Sequence, residues 1–236
     1  MTEKDKIELI IIGVSSAGTL VLAFLAIFGQ TVKKWFYKSN LSFEIENKEP
    51  FVIECNTKEI FSDETSKSIA INLRIKNVGN ISAINAQLYT EKIFRVRMEN
   101  QTYYLDREII PANYLWKNES ELKSLTPLMS HYVEIAKIQQ QVEYTKDEQT
   151  NKEIKNSRDV LFLSIADPTI SGEFIKLGKG TYLIPIKAYA DSMAKEQEIY
   201  VEIFWNANDL NHKSNSNFYV KQVKKSELTN EVTKQL

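Results

Sequence analysis

The sequence predicts a mainly β protein, a two-sheet β-sandwich preceded by one N-terminal transmembrane α-helix. Three observations lead to this prediction. Residues 9–32 contain no charged side chain, several later segments alternate apolar and polar residues, and turn-forming residues separate those segments. An uncharged run of this length is typical of a membrane span, whereas alternation with period two is typical of strands that bury one face.

The composition is that of a folded protein with few chemically specialised residues. Hydrophobic residues make up 43% of the chain and charged residues 26%. The 30 basic and 31 acidic residues nearly balance, so there is no basic footprint and we expect no nucleic-acid partner. A single cysteine, Cys55, cannot form an intramolecular disulfide. Only 7 glycines are present, which argues against glycine-rich phosphate loops.

The uncharged run at residues 9–32 predicts the transmembrane helix. Of its 24 residues, 13 are Leu, Ile, Val or Phe. As a helix it is roughly 36 Å long, enough to cross a hydrocarbon core of about 30 Å. The run is longer than the apolar region of a signal peptide, so we expect an uncleaved anchor after a short tail, residues 1–8. Gly13 and Ala17 would allow two anchors to self-associate, although small residues also occur in any spanning helix.

A short linker, residues 33–40, follows the predicted span. Aromatic and basic side chains suit the membrane interface, and five of them are the predicted interface anchors: Lys33, Lys34, Trp35, Tyr37 and Lys38. Because lysines favour the cytoplasmic side, we expect a single-pass protein of the cell membrane whose domain lies in the cytoplasm. The bilayer is then its first partner.

Alternating segments predict the strands of the domain, residues 41–206. The clearest segment is 69–76, in which every second residue is Ile or Leu, and it ends in the turn-forming residues 77–80. Because Pro185 lacks an N–H, its strand should lie at an edge or carry a bulge. The other candidates are 41–46, 84–96, 133–138, 160–166, 181–190 and 198–205.

Two short motifs resemble those of known β-sandwiches. One resembles the strand–Asn-x-Gly–strand hairpin of bacterial immunoglobulin-like modules of the CARDB and fibronectin III-like kind: Arg74-Ile75-Lys76-Asn77-Val78-Gly79-Asn80-Ile81-Ser82-Ala83. The other is similar to a tyrosine corner: Gly178-Lys179-Gly180-Thr181-Tyr182. The whole plan resembles uncharacterised bacterial single-span membrane proteins with such a domain. The resemblance implies an immunoglobulin-like sandwich and no activity.

Three regions depart from a minimal sandwich. Residues 99–127 indicate an elaborated connection, whose aromatic side chains would line a ligand groove or cap the core: Tyr103, Tyr104, Tyr114 and Trp116. Residues 139–159 are almost wholly polar, which predicts a solvated loop or short surface helix, or a docking segment for a partner. Residues 207–236 are rich in Asn, Ser and Lys, which predicts a mobile tail.

No constellation of residues indicates catalysis or metal binding. His131 and His212 lack the close spacing of zinc ligands. Cys55 has an acidic, strand-like neighbourhood, which favours a packing role over a nucleophile. Because no nucleophile-elbow, phosphate-loop or dinucleotide motif is present, we predict a protein that is not an enzyme and has no cofactor.

The remaining function classes are binding functions. The sequence predicts a membrane-anchored, non-enzymatic interaction module that binds another protein at the cytoplasmic face. One alternative is an envelope- or carbohydrate-binding module outside the cytoplasm, with the four aromatic residues as its stacking surface. Another is an auxiliary subunit of a membrane complex.

Overall fold

The computed structural model describes residues 3–58, 65–97, 102–114, 116, 123–146, 153–166, 174–206 and 217–228. It contains a helix, α1 (Glu3–Phe36), and a short 3₁₀ turn near the C-terminus, Lys225–Glu227. Between them lie twelve described strands: β1 (Leu41–Glu44), β2 (Val52–Lys58), β3 (Thr65–Asn77), β4 (Ala83–Arg97), β5 (Thr102–Asn113), β6 (Lys123–Leu125), β7 (Ser130–Lys146), β8 (Glu153–Ala166), β9 (Phe174–Leu177), β10 (Gly180–Tyr189), β11 (Gln197–Trp205) and β12 (Phe218–Val223).

Two antiparallel sheets of six strands each form a sandwich, as predicted. In the first sheet, β1 and β2 pair with successive parts of one side of β3, and β7, β8 and β9 follow on its other side. In the second sheet, the order is β12-β11-β10-β4-β5, and the short β6 continues beside β4. Each sheet therefore places a long strand next to an edge that two shorter strands share.

The main core lies between the two sheets. Alternate residues of β3 face it: Ile71, Leu73 and Ile75 are fully buried. The facing strands of the second sheet contribute Leu88, Ile184, Ile203 and Trp205. This alternation confirms the period-two prediction, because residues that are two apart on a strand point to the same face.

The strand order differs from that of an immunoglobulin domain. There, strand E lies beside strand B, and strand D, which precedes E in the chain, lies at the edge. In this protein β3 takes the place of strand B. The strands that follow beside it, β7, β8 and β9, lie in the same order in the sheet as in the chain. The reason is the β7–β8 hairpin, which extends the sheet outward from β3 instead of folding back towards it.

Two segments that were expected to be irregular form strands. Residues 99–127 were predicted to be an elaborated connection, but Thr102–Asn113 pairs with β4 as β5. The polar segment 139–159 was predicted to be a loop or helix, yet its described ends belong to β7 and β8, paired from Gln139↔Val160 to Lys146↔Glu153. Polar composition misled the prediction because cross-strand hydrogen bonding between backbones needs no apolar face.

The strand that contains Pro185 is central, between β4 and β11. Of the two alternatives predicted for this strand, the edge position is therefore wrong, and a shift in the pairing fits the bulge. The pairing of β10 with β4 shifts register between Leu183 and Lys187, so no ladder bond needs the missing N–H. Instead, the Thr90 hydroxyl on β4 donates to the Pro185 carbonyl at 2.7 Å.

The second sheet extends beyond the predicted domain boundary at residue 206. Strand β12 pairs with β11 from Tyr200↔Val223 to Trp205↔Phe218. The predicted tail of residues 207–236 thus contains an edge strand, which its polar flanks had concealed. Residues 207–216 and 229–236 lie outside the described residues.

Helix α1 contains the predicted span, residues 9–32, and the first part of the predicted linker, residues 33–36. Residues 13–24 are exposed, including Gly13 and Ala17. Within the described part of the chain, no helix is long and apolar enough to cross a membrane. Of the five expected interface anchors, Tyr37 and Lys38 are exposed. The side chains of Lys33, Lys34 and Trp35 lie outside the described ones, and the span stays a prediction.

Candidate binding groove

The outer face of the second sheet carries a second apolar cluster, separate from the main core. Its buried members are Phe94, Leu183, Tyr200, Val223 and Leu228, and the half-buried Tyr103 and Leu105 pack against them. Leu228 follows the 3₁₀ turn, so the C-terminal segment folds back over the outer face of the sheet. An outward sheet face is usually polar, which makes this arrangement unusual.

An open groove of 610 Å³ lies beside this cluster. We call it the outer groove. Strands β4, β5, β10, β11 and β12 and the 3₁₀ turn contribute its lining residues: Val96, Tyr103, Thr181, Glu202, Phe204, Tyr219, Lys221, Val223 and Glu227. The size is within the range of about 300–1,000 Å³ that is typical of ligand sites.

A buried carboxylate, Glu202, lines the outer groove and is only 4% exposed. Its Oε1 accepts hydrogen bonds from the Tyr219 hydroxyl at 2.8 Å and the Lys221 Nζ at 2.9 Å. Its Oε2 accepts a hydrogen bond from the Tyr103 hydroxyl. The three donors lie on β5 and β12, which are the two edges of the sheet. Glu202 therefore links both edges through a strand between them.

The network separates the pKa values of its members. Burial raises the pKa of Glu202, but hydrogen bonds from Tyr103, Lys221 and Tyr219 outweigh it, so the pKa lies below its usual range. Burial, followed by the hydrogen bond to Glu202, raises the pKa of Tyr103, and the same two causes raise the pKa of Tyr219. At neutral pH the carboxyl is ionised and both phenols are protonated. None of the three has a pKa near neutrality, as general acid–base catalysis prefers.

Two stacked aromatic rings form an apolar wall of the outer groove. The ring centroids of Phe204 and Tyr219 are 5.2 Å apart, with 27° between the planes. The Lys221 ammonium lies 5.5 Å from the Tyr219 centroid, within the range of a cation–π contact. The groove thus combines aromatic faces, one cation and a fixed carboxylate, which suits binding of a partly apolar, partly polar ligand.

The structure separates the four aromatic residues that the sequence grouped. Tyr103 lines the outer groove. Tyr104 is half-buried, with the Arg97 guanidinium 5.0 Å from its ring centroid. Tyr114 and Trp116 are buried in the main core, where the Trp116 indole N–H donates to the Ala86 carbonyl at 3.2 Å. Tyr114 and Trp116 therefore fit the alternative in which these aromatic residues cap the core, and the four side chains do not share one surface.

The other residues considered for chemistry have packing roles where they are described. The thiol of the partly buried Cys55 lies 3.1 Å from the Ser68 hydroxyl. Burial and the nearby Lys123 lower the pKa of His131, whose ring meets that of Trp116 edge-on. His212 lies outside the described residues. Among the residues that the structure describes, no three His, Cys, Asp or Glu side chains lie together as metal ligands.

Sequence reasoning missed most of the outer groove. The signal was present on β11, where the outward residues are Tyr200, Glu202 and Phe204. Two aromatic residues that flank a glutamate are unusual on a solvent-facing side. The missed edge strand supplies the other part, Tyr219 and Lys221.

Comparison with known proteins assigns no family. The chain matches no protein-family model, and neither a curated protein nor a solved structure is significantly similar to it.

Proposed function

We propose that this chain is a membrane-tethered, non-enzymatic module that holds a segment of another protein in the outer groove. The observation that carries the proposal is the Glu202 network. It provides fixed hydrogen-bonding groups and aromatic faces in an open groove, and the pKa shifts of Glu202, Tyr103 and Tyr219 all lead away from neutrality, where general acid–base catalysis works best. That combination favours binding over catalysis.

The exposed helix supports the tether. Leu20, Leu22 and Ile27 are each exposed by 70% or more. Leaving a side chain of this size in water forfeits about 1.5–3 kcal/mol relative to burial. The uncharged run of residues 9–32 makes the hydrocarbon core of a bilayer the natural cover, and the lysines that follow it favour a cytoplasmic domain.

Site-specific photo-crosslinking tests the groove. A photoreactive amino acid replaces Phe204 in the outer groove, and in a matched variant it replaces Ile53, an exposed apolar residue of β2 on the other sheet. Membranes that contain the first variant should yield a discrete crosslinked protein that the second does not yield. Identical products from both positions would refute the groove as the binding site.

Thiol labelling tests the orientation. A single cysteine is added after Leu236 in a Cys55→Ser background and treated with an impermeant reagent. We expect labelling only after cell lysis. Labelling of intact cells would place the domain outside the cytoplasm instead.

The stacked pair Phe204 and Tyr219 favours a second candidate, a carbohydrate ligand for an extracytoplasmic domain, because aromatic faces stack on sugar rings. Saturable glycan binding by the detergent-solubilised chain, lost on Phe204→Ala, would support it over a protein partner. An auxiliary subunit of a membrane complex would use the same groove. It would then copurify with its complex in mild detergent.

A further inference from the structure

One end of the sandwich gathers the loops around the end of helix α1. The Val78 N–H donates to the Asn40 carbonyl at 2.7 Å, and the Asn80 N–H donates to the Lys38 carbonyl at 3.1 Å. On the neighbouring turn, the Leu128 N–H donates to the Asn77 carbonyl at 2.8 Å. The residues that leave the helix are thus fixed to the turns at this end of the domain.

The buried Asn77 amide joins these loops. Its Nδ2 donates to the carbonyls of Ile81 and Leu125, each at 2.8 Å. Its Oδ1 accepts from the backbone N–H groups of Gly79 at 2.9 Å and Asn40 at 3.4 Å. An amide can make four such bonds, so all its capacity is used. Gly79 is required as well, because a Cβ there would lie 2.4 Å from the Lys38 carbonyl oxygen. The junction is therefore held in one arrangement.

Four large apolar side chains project from this end. We call them the apolar foot: Tyr37, Val78, Leu128 and Met129, which are 53%, 45%, 73% and 44% exposed. Single exposed apolar residues are common on protein surfaces, but adjacent ones mark interaction sites. The residues of the apolar foot belong to the segments that these hydrogen bonds join next to the end of helix α1.

The backbone of Leu128 gives a second, independent indication. Its φ is +66°, and the Met129 N–H donates to the Thr126 carbonyl at 3.1 Å, with Pro127 between them. This is the pattern of a type II turn, in which the position of Leu128 favours glycine or asparagine. Asn85, the other described non-glycine residue at positive φ, has the favoured side chain. A leucine here is disfavoured by about 1–2 kcal/mol, which indicates a use for its exposed side chain.

The distance from the predicted span suits a lipid contact. Four further helical residues and two extended ones place Lys38 at most about 13 Å beyond Val32, and any tilt of the helix shortens that height. The headgroup layer of one leaflet is about 5–8 Å thick, so Lys38 lies at most about 8 Å beyond its outer edge. We propose that the apolar foot rests on the lipid surface and fixes how the domain stands on the membrane, an inference that depends on the tether proposed above.

Depth-dependent quenching in the full chain tests the foot. In a Cys55→Ser background, a fluorophore that responds to polarity is attached to Met129→Cys in the apolar foot. In a matched variant it is attached to Lys179→Cys, in the exposed turn immediately before β10. The chain is reconstituted into vesicles of phosphatidylcholine and phosphatidylglycerol that carry a lipid-borne nitroxide. We expect a blue shift and strong quenching at residue 129 and neither at residue 179. Equal quenching at both positions would refute the contact between the apolar foot and the lipid surface.

A second variant separates contact from folding. Leu128→Asn in the Met129→Cys background should remove most of the quenching while the Tm stays equal or rises, because asparagine tolerates positive φ. Ile110→Asn, at an exposed isoleucine of β5, should leave the quenching unchanged. Undiminished quenching in Leu128→Asn would overturn the role of Leu128. A chain that fails to float with the vesicles would refute the tether and the foot together, whereas flotation with equal quenching would refute the foot alone.

Discussion

The two faces of β11 differ in chemistry although they are similarly buried. Towards the core, Ile203 is fully buried among apolar side chains. On the other face its neighbour Glu202 is 4% exposed and makes three hydrogen bonds to side chains of the sheet edges. Burial alone therefore does not distinguish core from site in this protein. What distinguishes them is the kind of group that is buried and whether an open groove lies beside it.

This difference has an energetic basis. Apolar burial is stabilising without any specific partner. A buried carboxylate is costly unless donors surround it, so the outer face depends on the position of each donor. The inner face should tolerate no loss of volume, and the outer face should tolerate no loss of a partner.

The largest effect should come from the inner face. Ile203→Ala removes apolar volume from the main core and should lower the free energy of unfolding by about 2–5 kcal/mol. Urea unfolding of the full chain in detergent measures it. An effect smaller than that of Glu202→Gln on the same strand would reverse the comparison of the two faces.

Glu202→Gln should have the next largest effect, about 1.5–3 kcal/mol at neutral pH. The glutamine keeps the shape of the side chain, but its NH₂ group cannot accept a hydrogen bond from the donors that a carboxylate oxygen binds. Tyr103→Phe removes one donor only and should cost less. An unchanged unfolding free energy in Glu202→Gln would show that the network does not stabilise the fold.

The same variant has a defined pH dependence. Because the pKa of Glu202 is lowered in the folded chain, its carboxylate stabilises the fold above the unfolded pKa of about 4.3. That contribution is lost as the pH falls through the lower pKa of the folded state. The difference between Glu202→Gln and the unmodified chain should therefore shrink in acid. A difference that grows in acid would contradict the lowered pKa.

The smallest effect should come from Leu228→Ala, which removes the cover of the outer cluster. We expect a loss of about 1–2 kcal/mol, since the end of a chain can relax around a small void. Amide hydrogen exchange should rise on β12 and stay unchanged on β3. Faster exchange on both strands would mean that the two faces are not independent.

Sequence patterning predicted the sandwich well where one face of a strand is apolar. The alternation of Ile69, Ile71, Leu73 and Ile75 identified β3 and its buried side directly. It failed for the polar ends of β7 and β8, because backbone pairing leaves no mark in side-chain pattern. Of the three aromatic residues that line the outer groove, one was recognised. Tyr103 was among the candidates, whereas Phe204 and Tyr219 lie on strands read as core or tail.

What the sequence determined by itself is local: the uncharged run, the alternating strands, the Asn77–Asn80 turn and the absence of familiar catalytic motifs. Each follows from residues that are close in the chain, where sterics and hydrophobic periodicity act. Only the tertiary structure decided that Glu202 meets Tyr103 and Tyr219, or that the backbone of Leu128 is hydrogen-bonded to Asn77 at the end of β3. Those contacts join residues far apart in the chain, and their partners depend on strand order and register, which no local pattern encodes.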